Sequence, residues 1–310
     1  MCTLEARRSP IADPDKKNTG VGASRFAPAP HKPGDDGDIT IVRLDHAPGK
    51  THPVDKNDKG APVHEVALFM PKGFDPSKPA IMVPYFHGHD GSINDALTRQ
   101  KLTELAAKSG KNICFVIPQL GKKSDIADDF KLDPKHPEKS AKAGARFLDE
   151  AADALAKFYV SKHPEADAAK TAKAFHDMPV VTMTYSGGYE AAWSTLTLPK
   201  VKGAIVLDSM YSSARPFVDF ARRDDKPFVA VTYGESTQKH VGEFVAGAPS
   251  GSYSVIPNPK DHGILVQNTL EKVFQSLNTD GRKVTYDGLS DQTPLVAAAT
   301  KPKPAPMAKR

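Results

Sequence analysis

The feature that most constrains the fold of this chain is a regular alternation of short apolar, β-branched runs with longer stretches of helical period. Apolar runs at 81–86, 112–117, 179–185, 201–207, 227–233 and 253–256 are interleaved with helical stretches at 93–109, 139–162, 214–222, 238–246 and 264–277. A strand covered on both faces reads as a continuous apolar run, and a parallel neighbour needs a crossover long enough to hold a helix. The pattern therefore predicts an α/β domain with a mostly parallel central sheet and helices on both faces. In the stretch 139–162, Ala143, Phe147, Leu148, Ala151, Leu155, Phe158 and Tyr159 fall on one helical face. Two earlier strands, at 38–44 and 64–70, are separated by turn formers and are expected to pair antiparallel.

The two ends of the chain differ from its middle. Residues 1–37, rich in Pro, Gly, Asp and Lys without apolar period, read as a flexible leader, and residues 281–310 as a Pro-, Ala- and Lys-rich tail. Between them, residues 38–280 form one expected domain. The net charge of +5 comes from 42 basic and 37 acidic side chains scattered along the chain, with no basic stripe carrying interleaved aromatics. Nucleic acid is not an expected partner. Cys2 lies in the leader and Cys114 inside an apolar run, where it should be core, as should Trp193; two distant cysteines make no disulfide framework. No apolar segment approaches the roughly 18 residues of a membrane span, and the N-terminus has no signal-peptide core. The expectation is a soluble chain, cytoplasmic by default and secreted if a leader was removed. Oligomeric state is not legible.

Chemistry concentrates where strands end. The run from Pro179 to Tyr185 breaks at Ser186-Gly187-Gly188 into an Ala-rich helical stretch. A serine at a strand-to-helix turn exposes its hydroxyl at the carboxyl edge of the sheet, where the first helical N–H groups can face an oxyanion. The surrounding glycines suit the close approach of strand, turn and helix. Thr184 stands where the usual G-x-S-x-G signature has its first glycine. Two further polar residues follow strands: Asp208 after 201–207, and His262 after 253–256. Serine needs a base near neutral pKa, and imidazole needs a carboxylate to fix its tautomer.

The chain order Ser186, Asp208, His262 resembles that of the α/β-hydrolases, and the resemblance spans roughly residues 38–280. The segment His87-Gly88-His89-Asp90-Gly91 looks like that family's oxyanion loop after the third strand, and Met70-Pro71-Lys72-Gly73-Phe74-Asp75-Pro76 looks like the turn that precedes it in esterases and prolyl-peptidase relatives. The resemblance implies a serine hydrolase acting on a carboxylic ester, small or polymer-linked, with Ser186 as nucleophile, His262 as base and Asp208 as acid. It also implies oxyanion donors at the backbone N–H groups of Gly187 and His89, and no cofactor. Most of the family carries its acid after the seventh strand, where only Glu235 stands, so Glu235 is the alternative to Asp208. Esters are expected over peptides because the chain shows no large extra domain like that of the prolyl peptidases, although small amidases share the core. The side chain of His87 is expected to be a structural hydrogen-bonder, and Ser209, Ser212 and Ser213 turn or capping groups.

Two other functions are open at this point. One is a metal-dependent hydrolase using His87, His89, Asp208 and His262, although the H-x-H spacing is not continued by a further histidine. The other is a hydrolase-fold protein that binds without catalysis.

Overall fold

The structure, a computed structural model, describes residues 36–50, 64–121, 123–133, 135–257, 265–280 and 284–286. The expected leader up to residue 35, the base His262 and most of the expected tail lie outside the described residues.

Eight strands form one sheet: β1 (Gly37–Arg43), β2 (Glu65–Pro71), β3 (Ile81–Phe86), β4 (Ile113–Pro118), β5 (Val180–Tyr185), β6 (Val201–Leu207), β7 (Phe228–Tyr233) and β8 (Tyr253–Pro257), in the order β1-β2-β4-β3-β5-β6-β7-β8. β1 and β4 both pair antiparallel with β2, and every pairing from β4 to β8 is parallel. Only β2 runs against the rest. All six residues of β3, β4 and β5 are buried, which explains why they read as unbroken apolar runs.

Helices cover both faces, as the alternation predicts. One core joins Met82, Phe86 and Val206 of the sheet to Phe147 and Leu155 of α2 (Pro137–Lys162), Phe175 of α3 (Ala168–Asp177), Ala191 and Ala192 of α4 (Tyr189–Leu196), Phe217 of α5 (Arg215–Ala221) and Phe244 of α6 (Gln238–Gly247). The other sets Val83, Tyr85, Met183 and Ile205 against Leu102 and Leu105 of α1 (Leu102–Ser109) and Leu270 and Phe274 of α7 (Leu265–Ser276). The face expected on 139–162 is the buried one from Ala143 to Phe158, with Tyr159 half-buried at its edge. Cys114 is fully buried, and burial pushes its thiol pKa up, so it is an inert core group.

Three elements differ from expectation. The stretch 93–109 is two pieces: a wide turn with i→i+5 bonding at Asp95–Arg99, then α1, separated by Lys101 at a left-handed φ of 55°. The break turns Gln100 inward, where it accepts a 2.5 Å hydrogen bond from the buried Tyr85 hydroxyl. α3 was not expected; it starts at Asp167, whose carboxylate caps the Lys170 N–H at 3.0 Å. After α7, β9 (Leu277–Thr279) pairs antiparallel with β10 (Val284–Tyr286), so folded structure continues past residue 280, where the tail was expected to begin. Tyr286 holds this hairpin to the sheet by stacking on Phe228 at 4.5 Å.

Candidate active site

The central strand β5 ends at Ser186, and a single 3₁₀ turn, Ser186–Gly188, leads into α4. Ser186 takes a left-handed φ of 50°, a conformation that costs a non-glycine residue of order 1 kcal/mol or more and persists only where its surroundings impose it. Those surroundings are tight. A Cβ on Gly188 would stand 2.2 Å from the Phe86 carbonyl oxygen, and one on Gly88 would stand 2.6 Å from the Ser186 Cβ. Backbone therefore approaches the serine turn from the end of β3, leaving no room for a side chain. Over Gly187 lies the His89 ring, whose Cδ2 is 2.4 Å from where a Cβ would project, with the Ser124 hydroxyl 2.9 Å from the same point. His89 is otherwise exposed.

Thr184, the departure from the glycine signature, has a place of its own. Its hydroxyl is 2.9 Å from that of Ser209, and Ser209 donates to the Ser186 carbonyl at 2.6 Å. Since the Ser209 proton is committed there, Thr184 donates to Ser209. This buried chain braces the strained turn from the β6 side, and it gives Ser209 a bracing role where a turn or cap was expected.

Asp208 ends β6 in the same left-handed conformation, at φ 44°, and is 2% exposed. Its N–H donates to the Thr232 carbonyl (3.1 Å) and lies 3.0 Å from the Thr232 hydroxyl. Its Oδ1 accepts from the Gly234 N–H at 2.9 Å and from the Thr237 hydroxyl. Gly234 is needed there, because a Cβ would stand 2.7 Å from the other carboxylate oxygen. Glu235, the alternative acid, follows directly and is exposed.

The His87 side chain is 1% exposed, with Nδ1 2.9 Å from the Gly88 carbonyl and Nε2 accepting the Leu120 N–H at 2.9 Å. The second bond leaves Nδ1 as the protonated nitrogen. Burial lowers the pKa from 6.5 to about 4, so the ring is neutral. With one nitrogen protonated and the other lone pair occupied, His87 has nothing to offer a metal ion, and among the described residues no cluster of three or more His, Cys, Asp or Glu is placed to hold one. The expected structural role of His87 is what the geometry shows.

Sequence reasoning did not single out Tyr211 or Ser124. Burial, followed by the nearby Asp208 charge, raises the pKa of the Tyr211 phenol above the ordinary 10.0, with Ser186 opposing the shift. Ser124 sits at φ 57° and donates to the His87 carbonyl at 3.2 Å. Together with Asp90 at φ 53°, four of the six left-handed non-glycine residues gather around this turn. Trp193, expected in the core, is half-buried and packs on Tyr189 with ring centroids 5.0 Å apart. Among the described residues, no helix is long and apolar enough to cross a membrane.

No family model matches the chain, and no curated protein does. Solved structures do. The chain is similar to a predicted CIB-like hydrolase from Thermoplasma acidophilum, at 13% identity over 77% of this chain and 96% of that one, with a TM-score of 0.40. It is also similar to an S-formylglutathione hydrolase from Agrobacterium tumefaciens, at 14% identity over 77% and 93%, with a TM-score of 0.45. A feruloyl esterase module from Clostridium thermocellum is 15% identical over 84% and 94%, with a TM-score of 0.46. With its strand order, its one reversed strand and the serine turn at the carboxyl end of the central strand, the chain has an α/β-hydrolase fold.

Proposed function

We propose that this protein is a serine hydrolase that cleaves a carboxylic ester through an acyl-enzyme. The observation that carries the reading is Ser186 itself, held at a left-handed φ at the end of the central strand, with bare backbone of Gly88 against its side chain. Strain of this kind is a cost that needs a use, and aiming a hydroxyl out of the sheet edge is one.

In this reading Ser186 attacks the acyl carbonyl while His262 takes its proton. The N–H groups of Gly187 and His89 receive the oxyanion, His262 returns the proton to the departing alcohol, and water releases the acyl group by the reverse route. Asp208 is the acid behind His262. A triad carboxylate is held fixed by other donors while it orients imidazole, and Asp208, buried and gripped by Gly234 and Thr237, meets that requirement. Glu235 is exposed, and among the described residues no such cradle surrounds it. Against a metal-dependent reaction stands the commitment of both His87 nitrogens. The substrate is an acyl ester, free or attached to a polymer.

The test is turnover of chromogenic acyl esters of graded chain length, together with p-nitroanilide amides, by the wild type and by Ser186→Ala. Ester turnover that falls at least about 10⁴-fold on substitution supports the reading. Turnover untouched by the substitution overturns it, and preference for the anilides moves the activity to amides.

A further inference from the structure

We propose that Ser209 and Thr184 are positioning residues for the nucleophile: their hydroxyls, linked in series, fix the Ser186 carbonyl and through it the direction in which the Ser186 side chain leaves the sheet. The proposal rests on the serine-hydrolase reading of Ser186 and adds two residues to it.

Ser186 is the join between two rigid parts. On one side β5 is held to β6 up to its last residues, with Thr184 opposite Val206 and Tyr185 opposite Leu207. On the other side the 3₁₀ turn runs directly into α4. The dihedral angles of Ser186 decide how the two parts meet, and its φ of 50° lies in a small well that a residue with a Cβ occupies only under constraint. A rotation of ψ swings the Ser186 carbonyl oxygen, so a donor that holds the oxygen holds ψ. With both angles set, the Cα–Cβ bond has one direction relative to strand and helix.

Ser209 is that donor. Its hydroxyl gives its proton to the Ser186 carbonyl at 2.6 Å, and the residue is fully buried, so water does not compete. Its own backbone is anchored through its neighbour. Ser209 follows Asp208, whose N–H is held by the Thr232 carbonyl at 3.1 Å and whose Oδ1 accepts from the Gly234 N–H at 2.9 Å. The bond therefore ties the turn of the proposed nucleophile to the strand end of the proposed acid and sets the separation between them.

Thr184 is buried too, and its hydroxyl, 2.9 Å from that of Ser209, donates to it. A hydroxyl that accepts a hydrogen bond donates more strongly in its next one, so Thr184 strengthens the grip on the carbonyl. Its hydroxyl acts on Ser186 through Ser209. A glycine at this position, as in the usual signature, would take that support away.

The experiment measures kcat and KM on ethyl acetate, whose poor leaving group makes acylation slow, together with the rate of fluorophosphonate labelling and urea unfolding. The variants are Ser209→Ala, Thr184→Val, Thr184→Ser and the double variant Thr184→Val/Ser209→Ala. Ser209→Ala is expected to lower kcat and the labelling rate together by about five- to tenfold with KM within about twofold, and Thr184→Val by about threefold, while Thr184→Ser keeps wild-type rates. The double variant should lose no more than Ser209→Ala alone, because Thr184 then has nothing to act through. Unfolding that shifts while kcat and labelling stay at wild-type values makes the chain a brace of the fold only and overturns the inference. Losses that multiply in the double variant, or a Thr184→Ser loss equal to that of Thr184→Val, overturn it as well. Where Ser209→Ala does not fold, Thr184→Val carries the test, since it leaves the Ser209 bond to Ser186 in place. Ser186→Ala separates the two readings. If that variant keeps wild-type turnover, the serine reading fails first and takes this one with it; if it is dead while Ser209→Ala and Thr184→Val turn over and label like wild type, only the positioning role fails.

Discussion

The ends of β5 and β6 are the same backbone device set in opposite surroundings. Each strand stops at a non-glycine residue in the left-handed region, Ser186 at φ 50° and Asp208 at φ 44°. Around Ser186 the neighbours are stripped to glycine, and the side chain is half-buried at the sheet edge. Around Asp208 the neighbours supply donors, and the carboxylate is closed in by Gly234 and Thr237. The comparison teaches that strain by itself sets only where a side chain leaves the sheet. What surrounds it decides whether the group stands against bare backbone or is gripped by donors.

The sharpest way to break this pairing is to remove charge from the fixed end. Asp208→Asn should lower kcat by about 10⁴-fold while Glu235→Gln stays within about twofold, measured on one chromogenic ester. A large loss at Glu235 with little at Asp208 would reverse the assignment. A smaller effect is expected from the flank that supports Ser186. His87 is neutral when folded, with a pKa of about 4 against 6.5 when unfolded, so the unfolded chain binds the extra proton between those values. Stability is then complete above pH 6.5 and falls as pH drops towards 4, by an upper limit of about 3 kcal/mol from this group. Urea unfolding across that window should show the fall in wild type and a shallower one in His87→Gln.

Loosening the grip on Asp208 comes next. Thr237→Val removes one of its two named donors and should cost about tenfold in kcat with little change in KM. The smallest effect is expected for the brace on the serine side. Ser209→Ala leaves the Ser186 carbonyl and the Thr184 hydroxyl without their shared partner, and thermal unfolding should report a loss of about 1–2 kcal/mol.

The sheet was legible in the sequence because its central strands are buried on both faces and leave an unbroken apolar signature. Gln100 hid the break before α1, since its reason is a hydroxyl on β3 and not anything local. The β9–β10 hairpin was equally hidden. Its two strands have three residues each, and Tyr286 is held by Phe228 on a strand about sixty residues earlier. α3, by contrast, carried a visible capping aspartate at 167 in an Ala-rich stretch. At the site, the strand-to-helix turn at Ser186 was readable from its own residues. The choice between Asp208 and Glu235 was not, because spacing does not say which carboxylate is buried. Thr237 gave no signal at all: it meets Asp208 across a strand crossover, 29 residues away in the chain.

The central claim is that the open, strained strand end carries the nucleophile. Fluorophosphonate labelling followed by peptide mapping addresses it directly. The account predicts one adduct, on the peptide containing Ser186, absent from Ser186→Ala. Folded wild-type protein that takes no label, or an adduct that survives the substitution, would contradict it.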